Sequence, residues 1–149
     1  DIGHDEQPYC MSELIMDEAE KAEILIRNKP IVWQTTIHED FITTVPYYVF
    51  SIVVGNLIRN ACYYTDQGRI EVIVEKNKIQ VMDTGIGMNA EQIERVYELF
   101  YRCENNNQSG KGIGMSLVKK FCDRFGWQIN IESTQHVGTT VTLLITEKN

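Results

Sequence analysis

The strand-forming segments of this 149-residue chain occur in adjacent pairs joined by short turns, and this order strongly constrains the fold. Residues 69–75 and 78–83 alternate apolar and polar side chains on either side of a turn, which predicts a β-hairpin. Residues 127–133 and 139–146 predict a second pair of strands. Strands that follow one another in this way favour a sheet that is mostly antiparallel.

Segments with helical periodicity flank these strand pairs. Helices are predicted over residues 12–27, 45–64, 89–100 and 113–125. Ser12 and Asn89 are the expected N-caps of two of them, and Pro46 suits the first turn of another. A further strand is predicted over residues 31–37, a connection over 40–44 and an irregular segment over 1–11. The expected architecture is a single α/β domain over 12–149, a two-layer sandwich whose mixed, mostly antiparallel sheet is covered on one face by helices.

Charge and cysteine content exclude several classes of partner. The formal net charge is −7, from 14 Lys+Arg against 21 Asp+Glu, and no basic run stands out. This balance argues against nucleic acid or an anionic membrane surface as a partner. The longest apolar run, 47–58, is too short to span a membrane.

The chain has four cysteines, Cys10, Cys62, Cys103 and Cys122. They are widely spaced and form no C-x-x-C pair, which predicts reduced thiols in a cytoplasmic domain and argues against a zinc site.

Two asparagines continue the apolar stripe of the long helix predicted over 45–64. Val49, Val53, Asn56, Asn60 and Tyr64 fall within roughly an 80° arc at helical spacing. A buried amide without partners costs about 1–3 kcal/mol, so these side chains need a ligand or a protein partner. An amide oxygen is a hard ligand that suits Mg²⁺. The alternative is that both amides bond to neighbouring backbone.

A carboxylate and two glycines follow the strand predicted over 78–83. Asp83 ends an inward-facing row of that strand, and its carboxylate needs a hydrogen-bond donor. Gly85 and Gly87 come directly afterwards and allow tight turning and the close approach of a flat ligand. The exocyclic amine of a purine would be a suitable donor to Asp83. An ordinary turn after a strand is the alternative interpretation.

A second glycine cluster, Gly110-Lys111-Gly112-Ile113-Gly114, leads straight into the last predicted helix. Helix N-termini present unpaired N–H groups and a positive dipole end, which favour phosphate. The cationic side chains of Arg102 and Lys111 lie on the same loop and could reach a terminal phosphate. A flexible loop before a helix is the alternative, and the spacing matches neither the Walker pattern nor a dinucleotide fingerprint.

Five segments of the chain resemble the sequence motifs of sensor histidine kinases, in the same order. Asn56-Leu-Ile-Arg-Asn60-Ala-Cys-Tyr-Tyr64-Thr resembles their N box, and Asp83-Thr-Gly-Ile-Gly-Met88 their G1 box. Glu98-Leu-Phe100-Tyr-Arg102 is similar to the F box, Gly110-Lys-Gly-Ile-Gly-Met-Ser-Leu117 to the G2 box, and Gly138-Thr139-Thr140-Val141 to the closing strand motif. The resemblance covers about residues 12–146. It implies the ATP-binding catalytic domain of a two-component kinase, with the Bergerat-type fold shared by gyrase, Hsp90 and MutL ATPases.

The resemblance implies a role for each matching position with the cofactors ATP and Mg²⁺. Asn60 would ligate Mg²⁺, Asn56 would support the metal or the phosphates, and Lys111 and Arg102 would contribute positive charge. The base pocket would be formed by Tyr64, Asp83, Gly85, Gly87, Met88 and Thr139. Phe100 would anchor the loop that covers the nucleotide. The phosphates would lie against Gly110, Lys111, Gly112, Ile113, Gly114, Met115, Ser116 and Leu117.

Two departures from the family pattern affect the expected activity. The family usually has a lysine three residues after the metal-binding asparagine, where this chain has Tyr63, and the loop between Phe100 and Gly112 is short. ATPases of the wider group that hydrolyse ATP carry a glutamate at the position of Asn56. Because an amide cannot act as a base, slow hydrolysis and transfer of the γ-phosphoryl group to a protein histidine are expected.

The expected phosphoacceptor lies outside this sequence. His4, His38 and His136 are each most simply surface residues, and the family places the acceptor on a helical dimerisation hairpin. The chain begins at Asp1, so it is expected to be part of a longer, homodimeric kinase, with or without a membrane anchor, that signals to a response-regulator receiver domain. The isolated domain is expected to be a monomer without nucleic-acid or membrane contact.

Two other functions remain open from the sequence. One is a nucleotide-binding regulatory module whose catalysis has decayed, suggested by Tyr63. The other is a stand-alone serine kinase that binds a sigma factor, which has a similar length. That group carries a glutamate at the position of Asn56, and this difference ranks it below the other two.

Overall fold

The computed structural model describes residues 7–98 and 114–146, which form helices and strands close to those expected. In chain order these are β1 (Tyr9–Cys10), α1 (Met11–Ile26), β2 (Ile31–Ile37), β3 (Ile42–Thr43), α2 (Tyr47–Tyr64), β4 (Gly68–Glu75), β5 (Lys78–Asp83), α3 (Ala90–Arg95), α4 (Gly114–Phe125), β6 (Gln128–Thr134) and β7 (Gly138–Leu144). Within this part of the chain, no helix combines the length and apolar character needed to cross a membrane.

Five strands form the main sheet in the order β2-β4-β5-β7-β6. β2 runs parallel to β4, because the chain crosses over through α2 between them, and the other neighbouring strands are antiparallel. The mixed, mostly antiparallel sheet is therefore confirmed. β5 has the bounds that the alternating pattern predicts, and the turn before it contains Asn77 with a left-handed backbone (φ 56°), a conformation that asparagine tolerates.

The core lies on one face of this sheet, under α1, α2 and α4. Alternate residues of β4 and β5 point inward and are almost fully buried: Ile70, Val72, Val74, Ile79 and Val81. The Trp127 ring lies between the rings of Phe50 and Phe125, with centroids 4.5 and 4.8 Å away, and joins α2 to α4. The predicted single helical layer is confirmed, because the opposite face carries mainly polar side chains.

The cysteines of the described residues, Cys10, Cys62 and Cys122, are free thiols, as expected. Burial raises the pKa of Cys62 and of Cys122 to about 11, so both remain protonated at neutral pH. Cys103 lies outside the described residues.

The N-terminal region differs from the sequence prediction in its details. Segment 1–11 was expected to be irregular and 40–44 to be a simple connection, but β1 and β3 pair as a small second sheet. α1 begins at Met11, and Ser12 does not cap it. Instead the Asp40 carboxylate accepts from Ser12 N at 3.0 Å and from Ser12 Oγ at 2.5 Å. Pro46 is the N-cap of α2 and lies just outside its first turn.

The interface between α1 and α2 contains a buried carboxylate. Glu18 is 2% exposed and accepts hydrogen bonds from Ser51 at 2.7 Å and from Lys21 at 2.9 Å. A Cβ on Gly55 would lie only 2.6 Å from Glu18 Oε1, so glycine at this position makes room for the carboxylate. The local sequence pattern gives no sign of this polar contact.

The C-terminal end of α2 is completed by a lysine from a distant part of the sequence. α2 has no basic residue in its last turn, and Lys29 Nζ donates to the Cys62 carbonyl at 2.9 Å and to the Thr65 carbonyl at 3.0 Å. These are carbonyls at the negative end of the helix dipole, where a cation is favoured.

We expect Lys29→Met to lower the free energy of unfolding by about 1–2 kcal/mol, because two helix-end carbonyls lose a charged donor. Urea denaturation monitored by circular dichroism would measure this loss. Lys120→Met changes an exposed lysine of α4 and serves as the control, with an expected change below about 0.5 kcal/mol. Equal urea concentrations at the midpoint of unfolding for the two variants would contradict a stabilising role for Lys29.

Candidate functional site

Of the residues predicted to hold a ligand, those that the structure describes lie along the C-terminal half of α2 and at the adjoining ends of β5, β7 and α4. Asn56, Asn60 and Tyr64 follow one another at intervals of one helical turn, and all three are half-buried. The helical rise places the first and last of them about 12 Å apart. This stripe is therefore long enough to contact both a base and a phosphate chain.

Asn56 connects α2 to the beginning of α4. Its Nδ2 donates to the Ile52 carbonyl at 2.7 Å, so one half of the amide bonds to neighbouring backbone, as the alternative interpretation expected. Its Oδ1 faces Gly114, where a Cβ would lie 2.6 Å away. Gly114 thus allows α4 to begin directly against Asn56, which brings the end of the second glycine cluster to the helix that carries the asparagines.

Asn60 lies between Asn56 and Tyr64, one helical turn from each. Its side chain makes no hydrogen bond to the described residues, although it is only partly exposed. Among those residues, no group of three or more His, Cys, Asp or Glu side chains could hold a metal ion by itself. A magnesium ion at Asn60 would therefore need oxygen ligands from the nucleotide and from water, which is how Mg²⁺ is commonly bound.

Asp83 lies at the end of β5, opposite Thr139 of β7. Burial raises the pKa of its carboxyl group to about 6, and hydrogen bonds from the backbone N–H groups of Gly85 (2.8 Å) and Thr139 limit this rise. The charged form of a carboxylate that is desolvated in this way is strongly stabilised by an additional hydrogen-bond donor, such as an exocyclic amine.

The turn after Asp83 packs so closely at its two glycines that no side chain fits at either position. A Cβ on Gly85 would overlap the Tyr64 carbonyl oxygen, and a Cβ on Gly87 would overlap the Thr134 carbonyl oxygen. Gly87 also has a left-handed backbone with φ 66°. Ile86 N donates to the Tyr64 carbonyl at 3.0 Å. Gly85 therefore brings this turn against the end of α2, and Gly87 brings it against the end of β6.

The first turn of α4 continues the site beyond Gly114. Met115 and Ser116 are buried, whereas Leu117 is exposed. The remaining predicted site residues lie outside the described residues: Phe100, Arg102, Gly110, Lys111, Gly112 and Ile113.

Two residues that the sequence interpretation did not include contribute to the site. Ser133 Oγ accepts from Met88 N at 2.8 Å and lies 2.8 Å from Thr139 Oγ1. Thr65 directly follows Tyr64, and its hydroxyl is fully buried without a hydrogen-bond partner among the described residues. This hydroxyl lies 2.8 Å from the position that a Cβ on Gly85 would take. Ser133 stands out neither by residue type nor by spacing, so the sequence offered no signal for it. Thr65 ends the segment that resembles the N box, but the resemblance gave it no role.

We expect Thr65→Val to raise the free energy of unfolding of the nucleotide-free domain by up to about 1 kcal/mol. Valine has the same shape as threonine, suits the extended backbone at this position, and removes a buried hydroxyl that lacks a partner among the described residues. Urea denaturation would measure the gain.

Thr142→Val is the matched control for this substitution. Thr142 is also buried, but its hydroxyl accepts from Gln80 Nε2 at 3.0 Å, so its replacement should lower the stability. A loss of stability in both variants would show that the Thr65 hydroxyl has a partner after all.

These features fit a magnesium nucleotide. The glycine turn allows a flat group to approach the backbone, Asp83 supplies an acceptor, and the N-terminus of α4, which favours phosphate, begins against Asn56. The buried Thr65 hydroxyl next to the glycine turn, which has no hydrogen-bond partner in the described part of the chain, is a further polar group at the same place.

The comparison with known families agrees with this geometry. A sequence model of the family described as "Histidine kinase-, DNA gyrase B-, and HSP90-like ATPase" matches residues 49–149, about two thirds of the chain. The chain belongs to this family. As a member of the histidine kinase-like ATPases, it is an ATP-binding domain, and the matched residues include all the site segments described above.

The individual relatives of this ATPase domain include sensor proteins, one of them a sensor-like histidine kinase. It is 33% identical over 104 residues to an uncharacterized sensor-like histidine kinase of Rhizobium meliloti, a match that covers 64% of this chain and 20% of the relative. It is 28% identical over 102 residues to the aerobic respiration control sensor protein ArcB of Escherichia coli, a match that covers 62% of this chain and 13% of the relative. The chain thus corresponds to one fifth or less of these curated relatives.

The fold of the ATPase domain is also found among solved structures. The mycobacterial sensor histidine kinase MprB superposes with a TM-score of 0.79 at 20% identity, over 93% of this chain and 97% of that one. The predicted α/β architecture and the predicted family are therefore confirmed.

Proposed function

We propose that this chain is the catalytic ATP-binding domain of a sensor histidine kinase and transfers the γ-phosphoryl group of Mg-ATP to a histidine on a separate helical hairpin. The observation that carries the proposal is the meeting of Asn56, Asp83 and the start of α4 along one side of α2, in a chain of the histidine kinase-like ATPase family. The relatives that are sensor kinases supply the class of acceptor.

In this proposal each described site residue has one role. Asn60 ligates Mg²⁺ because its amide oxygen is uncommitted, and Asn56 directs its Oδ1 toward the phosphate end at Gly114. Tyr64 packs on the adenine ring, and Asp83 accepts from the adenine amine. Thr139, Gly85, Gly87 and Met88 shape the base pocket, and the backbone of Met115, Ser116 and Leu117 continues the phosphate site.

The same proposal assigns the remaining roles to residues outside the described ranges. Gly110, Gly112 and Ile113 would lie against the phosphates, Lys111 and Arg102 would neutralise phosphate charge, and Phe100 would hold the covering loop.

The chemistry of Asn56 favours transfer over hydrolysis. An amide cannot take a proton from water, and the Nδ2 of Asn56 is already engaged with the Ile52 carbonyl. Bound Mg-ATP supplies the phosphoryl group together with the charge of the metal. The domain holds the base and the phosphates in place, so its contribution to the rate is positioning and electrostatic stabilisation.

The acceptor histidine is proposed to belong to another part of a longer, dimeric kinase. His38 and His136 are exposed and lie at the end of β2 and in the β6–β7 turn, and His4 lies outside the described residues. No described histidine lies on a helix. The phosphorylated hairpin would then pass its phosphoryl group to a response-regulator receiver domain in the cytoplasm.

A phosphotransfer assay tests this function. The chain is incubated with [γ-³²P]ATP, Mg²⁺ and the helical hairpin of its own parent kinase, and the label is followed on the hairpin. Acid-labile label on a hairpin histidine is the expected result, and it should disappear in the Asn60→Ala variant. Fast release of inorganic phosphate by the chain alone would contradict the role given to Asn56.

The second candidate is a nucleotide-binding regulatory module without phosphotransfer. Tyr63 favours it, because this half-buried residue occupies the position of the lysine usual in the family. ATP binding without label on the hairpin would support this candidate and reject the first.

A further inference from the structure

The β6–β7 hairpin contacts the glycine turn of the base pocket at three successive residues. His136 N donates to the Ile86 carbonyl at 2.6 Å, and Met88 N donates to Ser133 Oγ at 2.8 Å. Between them, Gly87 lies against the Thr134 carbonyl without room for a Cβ. The position of the turn at residues 86–88 is therefore set by a hairpin more than 40 residues later in the sequence.

Ser133 makes the side-chain contacts in this arrangement. Its hydroxyl oxygen lies 2.8 Å from Met88 N, 2.8 Å from Thr139 Oγ1 and 3.0 Å from the Gly138 carbonyl. A hydroxyl has one donor and two acceptor positions, so it can accept from Met88 and Thr139 while it donates to Gly138. All of its hydrogen-bonding capacity is used to join the turn to β7.

These partners of Ser133 lie next to the base-binding carboxylate. Thr139 is the register partner of Asp83, and its N–H donates to the Asp83 carboxylate. A Cβ on Gly138 would overlap the Asp83 carbonyl oxygen, so β7 also lies close to the strand end there. A shift of Met88 relative to Thr139 would therefore change the shape of the pocket on both sides of Asp83.

We propose that Ser133 is a positioning residue of the nucleobase pocket, which acts through Met88 and Thr139 without touching the nucleotide. This inference rests on the proposed ATP site. Without the hydroxyl, Met88 N–H loses its partner and the Thr139 hydroxyl is free to rotate. The turn then holds the base less well, whereas the asparagines of α2 and the start of α4 are unchanged.

Isothermal titration of the wild-type chain and its variants with Mg-ATP tests the inference. We expect Ser133→Ala to raise the Kd about tenfold, the effect of losing about 1.4 kcal/mol of binding free energy, while the stoichiometry stays at one nucleotide per chain. Ser133→Thr keeps the hydroxyl and should bind within about threefold of wild type. A variant that was merely damaged in folding would show a reduced binding-competent fraction with an unchanged Kd.

Ser51→Ala is the matched control. It removes another half-buried serine hydroxyl, which donates to Glu18 at the α1–α2 interface, so its Kd for Mg-ATP should equal that of wild type. An unchanged Kd for Ser133→Ala, a fall in stoichiometry alone, or no rescue by Ser133→Thr would overturn the role of Ser133. A wild-type chain that does not bind Mg-ATP would instead reject the proposed nucleotide site itself.

Discussion

Replacing Asn60 by alanine is expected to weaken Mg-ATP binding on the order of 100-fold, about 2.7 kcal/mol, and to remove phosphotransfer. The reason is that Asn60 is the one protein ligand proposed for the metal. The described residues contain no acidic or histidine cluster that could hold the ion in its place. Isothermal titration with ATP at saturating Mg²⁺ would measure the loss.

The loss should depend on the metal and should not come from unfolding. In the presence of EDTA, wild type and Asn60→Ala are expected to bind ATP with similar weak affinity, because the metal is then absent from both. Stability should change little, since the Asn60 side chain makes no hydrogen bond to the described residues. Asn130→Ala, on an exposed position of β6, is the control variant. Equal Mg-ATP affinities for Asn60→Ala and Asn130→Ala would refute the metal assignment.

Replacing Asp83 by asparagine is expected to change binding and stability in opposite directions. ATP affinity should fall at least about tenfold near neutral pH, because an amide is a weaker acceptor for the adenine amine than a carboxylate. The nucleotide-free domain should become more stable at that pH, because a buried charge is removed. Titration with ATP and urea denaturation, each at two pH values, would measure both effects.

The sign of the stability change follows from the pKa of Asp83. Folding raises this pKa from 3.8 to about 6, so between about pH 4 and pH 6 the folded state binds more protons than the unfolded state. Wild-type stability therefore falls as the pH rises through this window, by about 3 kcal/mol in total at about 1.4 kcal/mol per pKa unit.

The Asp83→Asn variant would not show this loss. Its gain in stability over wild type near neutral pH should nevertheless be smaller than the roughly 3 kcal/mol that wild type loses, about 1–2 kcal/mol. The reason is that an amide has one acceptor oxygen for the two N–H groups of Gly85 and Thr139.

The pH also provides a control within the same protein. Near pH 4 the Asp83 carboxyl group is protonated in the folded state, so the Asp83→Asn variant should lose its advantage there. Wild type regains up to about 3 kcal/mol on acidification whereas the variant gains only about 1–2 kcal/mol at neutral pH, so the variant should be less stable than wild type by about 1 kcal/mol near pH 4. ATP affinity of the wild type should fall as the pH is lowered through about 6, whereas that of the variant should not. A variant that is less stable than wild type near neutral pH would contradict the desolvation of Asp83.

Those elements that depend on local sequence were predicted well. The β4–β5 hairpin follows from the alternation of apolar and polar residues on both sides of a turn. α4 follows from an apolar stripe at helical spacing that stops before Gly126. Asn89 caps α3 through a capping box with Gln92, as its position suggested. The ligand-site motifs were visible because nucleotide binding places unusual residues, such as paired asparagines and clustered glycines, in otherwise regular elements.

The contacts that join distant segments were not predicted. β1 and β3 contain two residues each, and their pairing depends on bringing together segments more than 30 residues apart. Lys29 reaches the end of α2 across 33 residues of sequence, and Glu18 is buried because Ser51 and Gly55 face it. A lysine, a glutamate and a serine at such positions have the same local pattern as solvent-exposed residues.

The sequence by itself determined the family, the order of the helices and of the main-sheet strands, and the residue types of the nucleotide site, because periodicity, glycine spacing and amide placement are local properties. Only the tertiary structure decided how those residues are held. It placed Asp83 in surroundings that raise its pKa, set Gly114 against Asn56, and brought Ser133 to the base-pocket turn. Desolvation and hydrogen bonds between distant segments depend on which surfaces meet after folding, and that information is not contained in any single stretch of the chain.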